Sequence, residues 1–153
     1  MPKLIAVTLL AGLLAAQAAR AQTAPTVEHA WARATVAAVK TGAAYLTITG
    51  HGAADVLLSA ATPVADRAEL HEAISEGNVM RMRPVERLMV PVSASVVLTP
   101  GGTHVMLVGL KGPLTVGQHF PLTLVFQDAG KLEADVVVAA AGAARPMEMN
   151  AKH

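Results

Sequence analysis

The stretch from His71 to Met106 reads HEAISEGNVMRMRPVERLMVPVSASVVLTPGGTHVM, and its turns predict the fold. Glu76-Gly77-Asn78 is typical of a hairpin turn, and Thr99-Pro100-Gly101-Gly102 is a second strong turn signal. The segments around these turns are short and alternate apolar with polar residues, as half-buried strands do. The strands predicted here are Ala65–Ile74, Val79–Arg83, Val92–Leu98 and Thr103–Val108.

Within this stretch, four residues can share one soft metal ion: His71, Met82, His104 and Met106. His104 and Met106 are two residues apart, so on a strand both side chains point to the same face. The predicted hairpin brings Met82 back towards His71. The pattern therefore predicts three strands that deliver ligands to one end of a sheet.

The ligand types select the metal. Thioether sulfur is soft and uncharged and imidazole is borderline, so two of each favour Cu(I) over Zn(II), Mg(II) or Ca(II). A blue-copper electron-transfer site needs a Cys thiolate, and the chain has no cysteine. A copper carrier is therefore favoured over an electron-transfer centre. Methionine and histidine also pack in ordinary cores, so spacing alone leaves a metal-free interpretation open.

Ten residues separate His71 from Met82, twenty-one separate Met82 from His104, and one separates His104 from Met106. This spacing resembles the His-x10-Met-x21-His-x-Met signature of the PCuAC family of periplasmic copper chaperones. Further blocks resemble the family too, and the likeness extends from Val27 to Val138; among them are AWARAT (Ala30–Thr35), GAAYLTI (Gly42–Ile48) and FPLTLVF (Phe120–Phe126).

The chain departs from the family at one point. Many members carry a methionine close after the first histidine, whereas here Ala73 and Ile74 occupy that neighbourhood. The resemblance implies a cupredoxin-like Greek-key sandwich that binds Cu(I) and is not an enzyme. It also implies delivery towards the binuclear copper site of cytochrome c oxidase, directly or with a Sco-type protein.

The tail from 141 to 153 contains the segment RPMEMNAKH. Several PCuAC relatives carry tails with methionine and histidine, so Met147, Met149 and His153 are interpreted as a second, weak copper arm that can also take Cu(II). A solvated tail without a metal role is the alternative.

Beyond the central stretch, the alternation continues with turn signals and no convincing amphipathic helix. This pattern predicts that residues 22–140 form one all-β domain, an antiparallel β-sandwich. The further strands are Val27–Ala34, Ala43–Thr49, Asp55–Ala61, Phe120–Gln127 and Lys131–Val138. His29 is expected to share a face with Trp31, and Met89, outside the ligand spacing, is expected to pack in the core.

Met1–Ala21 reads as a secretory signal peptide, with Lys3 before a short apolar run and cleavage expected before Gln22. A periplasmic, monomeric protein without a membrane span in its mature form is therefore expected. Without cysteine, neither disulfides nor a lipoprotein anchor are expected. Twelve Lys and Arg against eleven Asp and Glu form no basic stripe, which argues against a nucleic-acid partner.

Two other function classes remain. One is a metal-free exported β-sandwich that binds a partner. The other is a copper redox enzyme of the polysaccharide-cleaving type, but those enzymes use an N-terminal histidine, and the candidate cleavage sites leave Gln22 or Ala19 first. Hydrolase motifs such as G-x-S-x-G and H-E-x-x-H are missing from the sequence.

Overall fold

The computed structural model of the chain describes residues 23–145. The predicted signal peptide and the tail residues Met147, Met149 and His153 lie outside the described residues. In the described part the elements are ten strands: β1 Thr26–Arg33, β2 Thr41–Thr49, β3 Asp55–Ala61, β4 Ala65–Glu76, β5 Val79–Pro84, β6 Leu88–Val90, β7 Ser95–Val97, β8 Thr103–Leu110, β9 His119–Phe126 and β10 Gly130–Ala139. The predicted all-β class is confirmed.

Alternation of apolar and polar residues positions the core. Along β9, Phe120, Leu122, Leu124 and Phe126 are buried, and the residues between them are more exposed. Successive side chains of a strand point to opposite faces, so one face of β9 closes over the interior. Alternation likewise points inward the buried residues of two other strands and of β2: Leu70 of β4, Val105 and Leu107 of β8, and Leu46 and Ile48 of β2.

The strands form a sheet that curls into a barrel-like sandwich. Its order is β5-β4-β8-β2-β1-β10-β9-β3-β6, with β7 paired to β2 and a further pairing between β3 and β4. The β3–β4 pairing, at Ala60 and Ala68, joins the strands that lie next to the two ends of this order. One ladder departs from the predicted antiparallel pattern, since β1 and β10 run parallel. These two strands lie far apart in sequence, so no hairpin turn forces them to be antiparallel.

Local expectations fail at three places. The predicted strand Val92–Leu98 is shortened to β7, because the chain turns at Val92 and Ser93, where the φ of Ser93 is 54°. Met89 is 60% exposed on β6 and does not pack in the core. His29 does not continue an extended strand beside Trp31, because its φ is 52° and the β1–β2 register shifts there.

The β4–β5 hairpin extends past the end of β8. Register between β4 and β8 runs from Ala65 opposite Leu110 to Glu72 opposite Thr103, whereas β4 itself continues to Glu76 with β5 beside it. The predicted turn is confirmed at Gly77, whose φ of 64° suits glycine. All six residues of β5 are exposed. The hairpin is therefore a two-stranded projection from a closed core.

Candidate metal centre

His71 and His104 face one another across the β4–β8 ladder. They are directly opposed in the register, and their ring centroids are 6.3 Å apart. Directly opposed residues of an antiparallel pair point to the same side of the sheet. Two histidines with 32 residues between them in the sequence are thus neighbours in the fold.

The two methionines lie on that same face. Met106 is two residues beyond His104 and is opposite Glu69, while Met82 is opposite Ala73, two residues beyond His71. Because side chains repeat their direction every second residue, all four predicted ligands share one face of the three neighbouring strands β5, β4 and β8. Met82 and Met106 lie on opposite sides of the histidine pair along the strands.

This is the outer face of the sandwich, since Leu70, Val105 and Leu107 point the other way into the core. His104 is nevertheless only 6% exposed. Beside it on the outer face lies a small apolar cluster in which the ring centroids of Trp31 and Tyr45 are 4.6 Å apart. The Tyr45 ring is 6.4 Å from that of His104.

The C-terminal segment contributes to this cluster. Ala139 and Ala143 pack with Trp31 and Tyr45, and the Arg33 Nε–H donates a hydrogen bond of 2.9 Å to the carbonyl of Ala143. Burial raises the pKa of Tyr45, and the nearby Arg33 guanidinium lowers it in part. Tyr45 therefore stays a neutral phenol near neutral pH and shields one side of His104 from water.

A backbone hydrogen bond determines the tautomer of His104. Its Nδ1 lies 3.0 Å from the carbonyl oxygen of Gly102, which can only accept, so Nδ1–H is the donor. In the neutral ring the lone pair is then on Nε2. Metal-bound histidines commonly use this arrangement, in which one ring nitrogen donates to a carbonyl and the other is left for the metal.

His71 has the opposite arrangement. Its Nε2–H donates to the Glu69 carboxylate at 3.1 Å, and the other carboxylate oxygen forms an ion pair with the Arg67 guanidinium, 3.0 Å from its Nε. The remaining nitrogen, Nδ1, is buried and has no hydrogen-bond partner. A buried polar atom without a partner is costly, and a bound cation would satisfy the lone pair.

The separation of the rings suits one shared ion. Metal–nitrogen bonds of about 2 Å put each ring centre roughly 3 Å from the ion, so two rings 6.3 Å apart are within reach of it. Among residues 23–145, no three His, Asp or Glu side chains cluster closely enough to hold a metal. The further ligands that this face offers are the two thioethers.

The thioethers differ in exposure. Met106 is half-buried in β8, with β4 on one side and β2 on the other, whereas Met82 is 58% exposed on the hairpin. Register puts Met82 on β5 beside Ala73, one strand and two residues away from His71. Three of the four side chains therefore lie in the paired ladder, and the fourth lies on the projection.

Other histidines have other partners. His51 is within hydrogen-bond distance of Thr26, and the exposed His119 Nδ1–H donates to Asp135 at 2.8 Å. Sequence reasoning missed the residues that support the histidines: Glu69, Gly102 and Tyr45. For Glu69 a signal existed, because it precedes His71 by two residues and so shares its face.

A cavity of ≈ 650 Å³ around Asp55 contains none of the candidate ligands; its lining includes Ala53, Ala54 and Gln127. The Asp55 carboxylate accepts hydrogen bonds from the backbone N–H groups of Val56, Asp128 and Ala129. Because its bonds go to the protein's own backbone, Asp55 fastens the β9–β10 turn to β3.

Comparison with protein families gives a match over residues 25–138 to the family described as "Putative lipoprotein LpqE-like". A curated relative, "Putative lipoprotein Lxx21020" of Leifsonia xyli subsp. xyli, is 32% identical over 103 residues, which are 67% of this chain. The chain spans only 61% of the length of that relative.

Solved structures with the same fold include PCuAC domains. The copper-bound PCuAC domain from PmoF2 is 26% identical, with a TM-score of 0.65, and the match covers 76% of this chain and 92% of that domain. The solution structure of CuI-DR1885 from Deinococcus radiodurans is 34% identical, with a TM-score of 0.64, and the match covers 86% of this chain and 89% of that one. Both proteins are named with copper bound.

Proposed function

This chain belongs to the LpqE-like family, and we propose that it is a copper carrier that binds one Cu(I) ion through His71, Met82, His104 and Met106. The copper is cargo to be handed on. The observation that carries the proposal is the buried, unpartnered Nδ1 of His71, directly across the ladder from His104 and on the face that holds both methionines. Copper-bound structures among the fold neighbours support it.

The hydrogen bonds of the rings assign the donor atoms in this proposal. His71 would bind through Nδ1 and His104 through Nε2, because the other nitrogen of each ring donates a hydrogen bond. Two neutral imidazoles and two thioethers form a soft set that prefers Cu(I). The Glu69 carboxylate, which is also paired with Arg67, accepts the hydrogen bond that orients the His71 ring.

A carrier must also release its ion. Release by ligand exchange requires that a recipient can approach the metal, and the exposed Met82 gives such an approach. A copper redox enzyme would need the ion to cycle to Cu(II), and the thioethers oppose that. We therefore favour transport over catalysis.

The place of action is proposed to be outside the cytoplasm, in the periplasm. The family and the curated relative are both named as lipoproteins, which supports export. No helix within residues 23–145 is long and apolar enough to cross a membrane.

The recipient is proposed from the resemblance to PCuAC chaperones. It is the copper-bearing subunit of cytochrome c oxidase, reached directly or through a Sco-type protein. Mixing Cu(I)-loaded chain with each apo-protein and measuring copper in the separated proteins distinguishes the two routes. Transfer to neither would contradict this choice of recipient and leave copper binding itself untouched.

The test of the function is an anaerobic Cu(I) competition titration against a chromophoric chelator, with the chain starting at Gln22. One tight equivalent is expected. If the chain does not compete with the chelator for Cu(I), the proposal of a copper carrier is wrong and a metal-free binding module is favoured. Proton–nitrogen NMR of the ring nitrogens adds an independent readout, since Cu(I) should shift Nδ1 of His71 and Nε2 of His104.

A second, weaker copper site in the tail, formed by Met147, Met149 and His153, is part of the proposal. Its support is composition alone, since a lone histidine with thioethers suits capture of Cu(I) and the histidine can also take Cu(II). Deleting Arg145–His153 should lower the copper stoichiometry under excess copper. Unchanged stoichiometry and transfer rate would show that the tail is idle.

A further inference from the structure

Met80 is the most exposed methionine of the hairpin. Its exposed fraction is 61%, close to the 58% of Met82. In the β4–β5 register Met80 is opposite Ser75 and Met82 is opposite Ala73, so both thioethers point to the face that carries His71. Met80 lies nearer the hairpin turn, further from the histidine pair.

The two faces of the hairpin differ in charge. On the face opposite to the thioethers, Arg83 is bound to Glu72 at 2.7 Å and Arg81 to Glu76 at 3.1 Å. The thioether face of the tip carries Ala73, Ser75, Met80 and Met82, none of them charged. A cationic ion moving along this face therefore meets soft donors and no competing ammonium or guanidinium group.

We propose that Met80 is a hand-over ligand, a thioether at the tip of the β4–β5 hairpin that binds Cu(I) briefly as the ion enters or leaves the site. This inference rests on the proposed function. On entry, the Met80 sulfur donates an electron pair to copper while the bond between copper and the donor breaks. On exit, it does so while a bond between copper and a ligand of the site breaks, and the bond between copper and Met80 then breaks as the recipient binds the ion. Copper remains Cu(I) throughout. The next soft donor on the same face is Met82.

A transit ligand has a distinct kinetic signature. It lowers the barrier for entry and exit equally, since both pass through the same intermediate, and so it leaves the equilibrium dissociation constant unchanged. Replacing Met80 should therefore slow loading and release by the same factor. A ligand of the resting site would instead lower the affinity.

The experiment compares Met80→Leu with the unsubstituted chain. Stopped-flow transfer of Cu(I) from the loaded chain to a chromophoric chelator should slow about fivefold, while the competition titration gives the same affinity and one equivalent. Failure of the unsubstituted chain to bind Cu(I) would refute the proposed function. Normal binding with an unchanged transfer rate in Met80→Leu would refute only the hand-over role.

Two control variants test whether the transfer rate depends on where the thioether lies or only on the number of exposed thioethers. Met89→Leu removes a thioether that is 60% exposed on β6, a strand paired to β3, and should leave the rate unchanged. Adding Val79→Met to Met80→Leu restores a thioether at the tip but on the other face, and should not rescue the rate. Equal slowing by Met89→Leu, rescue by Val79→Met, or a lowered affinity in Met80→Leu would each overturn the proposal.

Discussion

The β4–β8 ladder and the β4–β5 hairpin each carry a methionine of the candidate site, Met106 and Met82, in opposite surroundings. In the ladder, His104 is 6% exposed, and both histidines are fixed by hydrogen bonds to Gly102 and Glu69. On the hairpin, Met82 is 58% exposed. Both strands of the ladder have a neighbouring strand on each side. The tip of the hairpin is a two-stranded ribbon, and such ribbons are only marginally stable alone.

The difference separates two tasks of a carrier. Preorganised side chains contribute more to affinity, because little conformational entropy is lost when the ion binds. A side chain on a projecting ribbon must be ordered on binding, but a partner can reach it. We expect the ladder to dominate how tightly Cu(I) is held and the hairpin to dominate how fast it is exchanged.

The largest effect is expected for His104→Ala. Loss of a ladder ligand should weaken Cu(I) binding by more than about 100-fold, because even residues that only orient a ligand are worth 10- to 100-fold. The competition titration measures this. His119→Ala, which removes an exposed histidine bound to Asp135, is the control and should bind normally. Normal affinity in His104→Ala would remove the ladder from the site.

Replacing Met106 of the ladder and Met82 of the hairpin compares the contributions of the two regions to Cu(I) affinity. Met106→Leu should weaken binding about 30-fold and Met82→Leu about fivefold, because the gain from Met82 is reduced by the cost of ordering the hairpin. Both variants keep the side-chain volume, so circular dichroism should show an unchanged fold. An equal or larger loss in Met82→Leu would show that the hairpin is as well ordered as the ladder.

Glu69 tests how the ladder is preorganised. Glu69→Ala removes the acceptor for the His71 Nε2–H and should weaken Cu(I) binding about tenfold. Glu69→Gln retains an acceptor oxygen and should recover much of that loss. If Gln and Ala weaken binding equally, the negative charge of Glu69 matters and its hydrogen bond to His71 does not.

The smallest effect is expected at the hairpin turn. Gly77→Ala places a side chain at a positive φ in open space, which costs about 1 kcal/mol, so Cu(I) affinity should fall by at most about fivefold. Gly130→Ala has the same strain, at the β9–β10 turn. It should lower the free energy of unfolding in urea by about 1 kcal/mol and leave copper affinity unchanged. Reduced affinity in Gly130→Ala would show that the barrel and the hairpin are not separable.

Much of the fold was predictable because local rules govern it. Asp55–Ala61 was predicted with its observed bounds, and the turn at Gly77 follows from Glu-Gly-Asn chemistry. The parallel β1–β10 pair, the bulge at His29 and the exposure of Met89 were not predictable, since each depends on which distant strand lies alongside.

The class of fold followed from the sequence, and the four candidate ligands and a preference for Cu(I) were predicted from it, because alternation, spacing and donor chemistry are local or compositional properties. The fold was needed to show that His71 is opposite His104, that Nδ1 of His71 is the nitrogen without a partner, and that Glu69 and Gly102 set the two tautomers. Register between strands that are distant in the chain decides those contacts, and register is set by packing of the whole core.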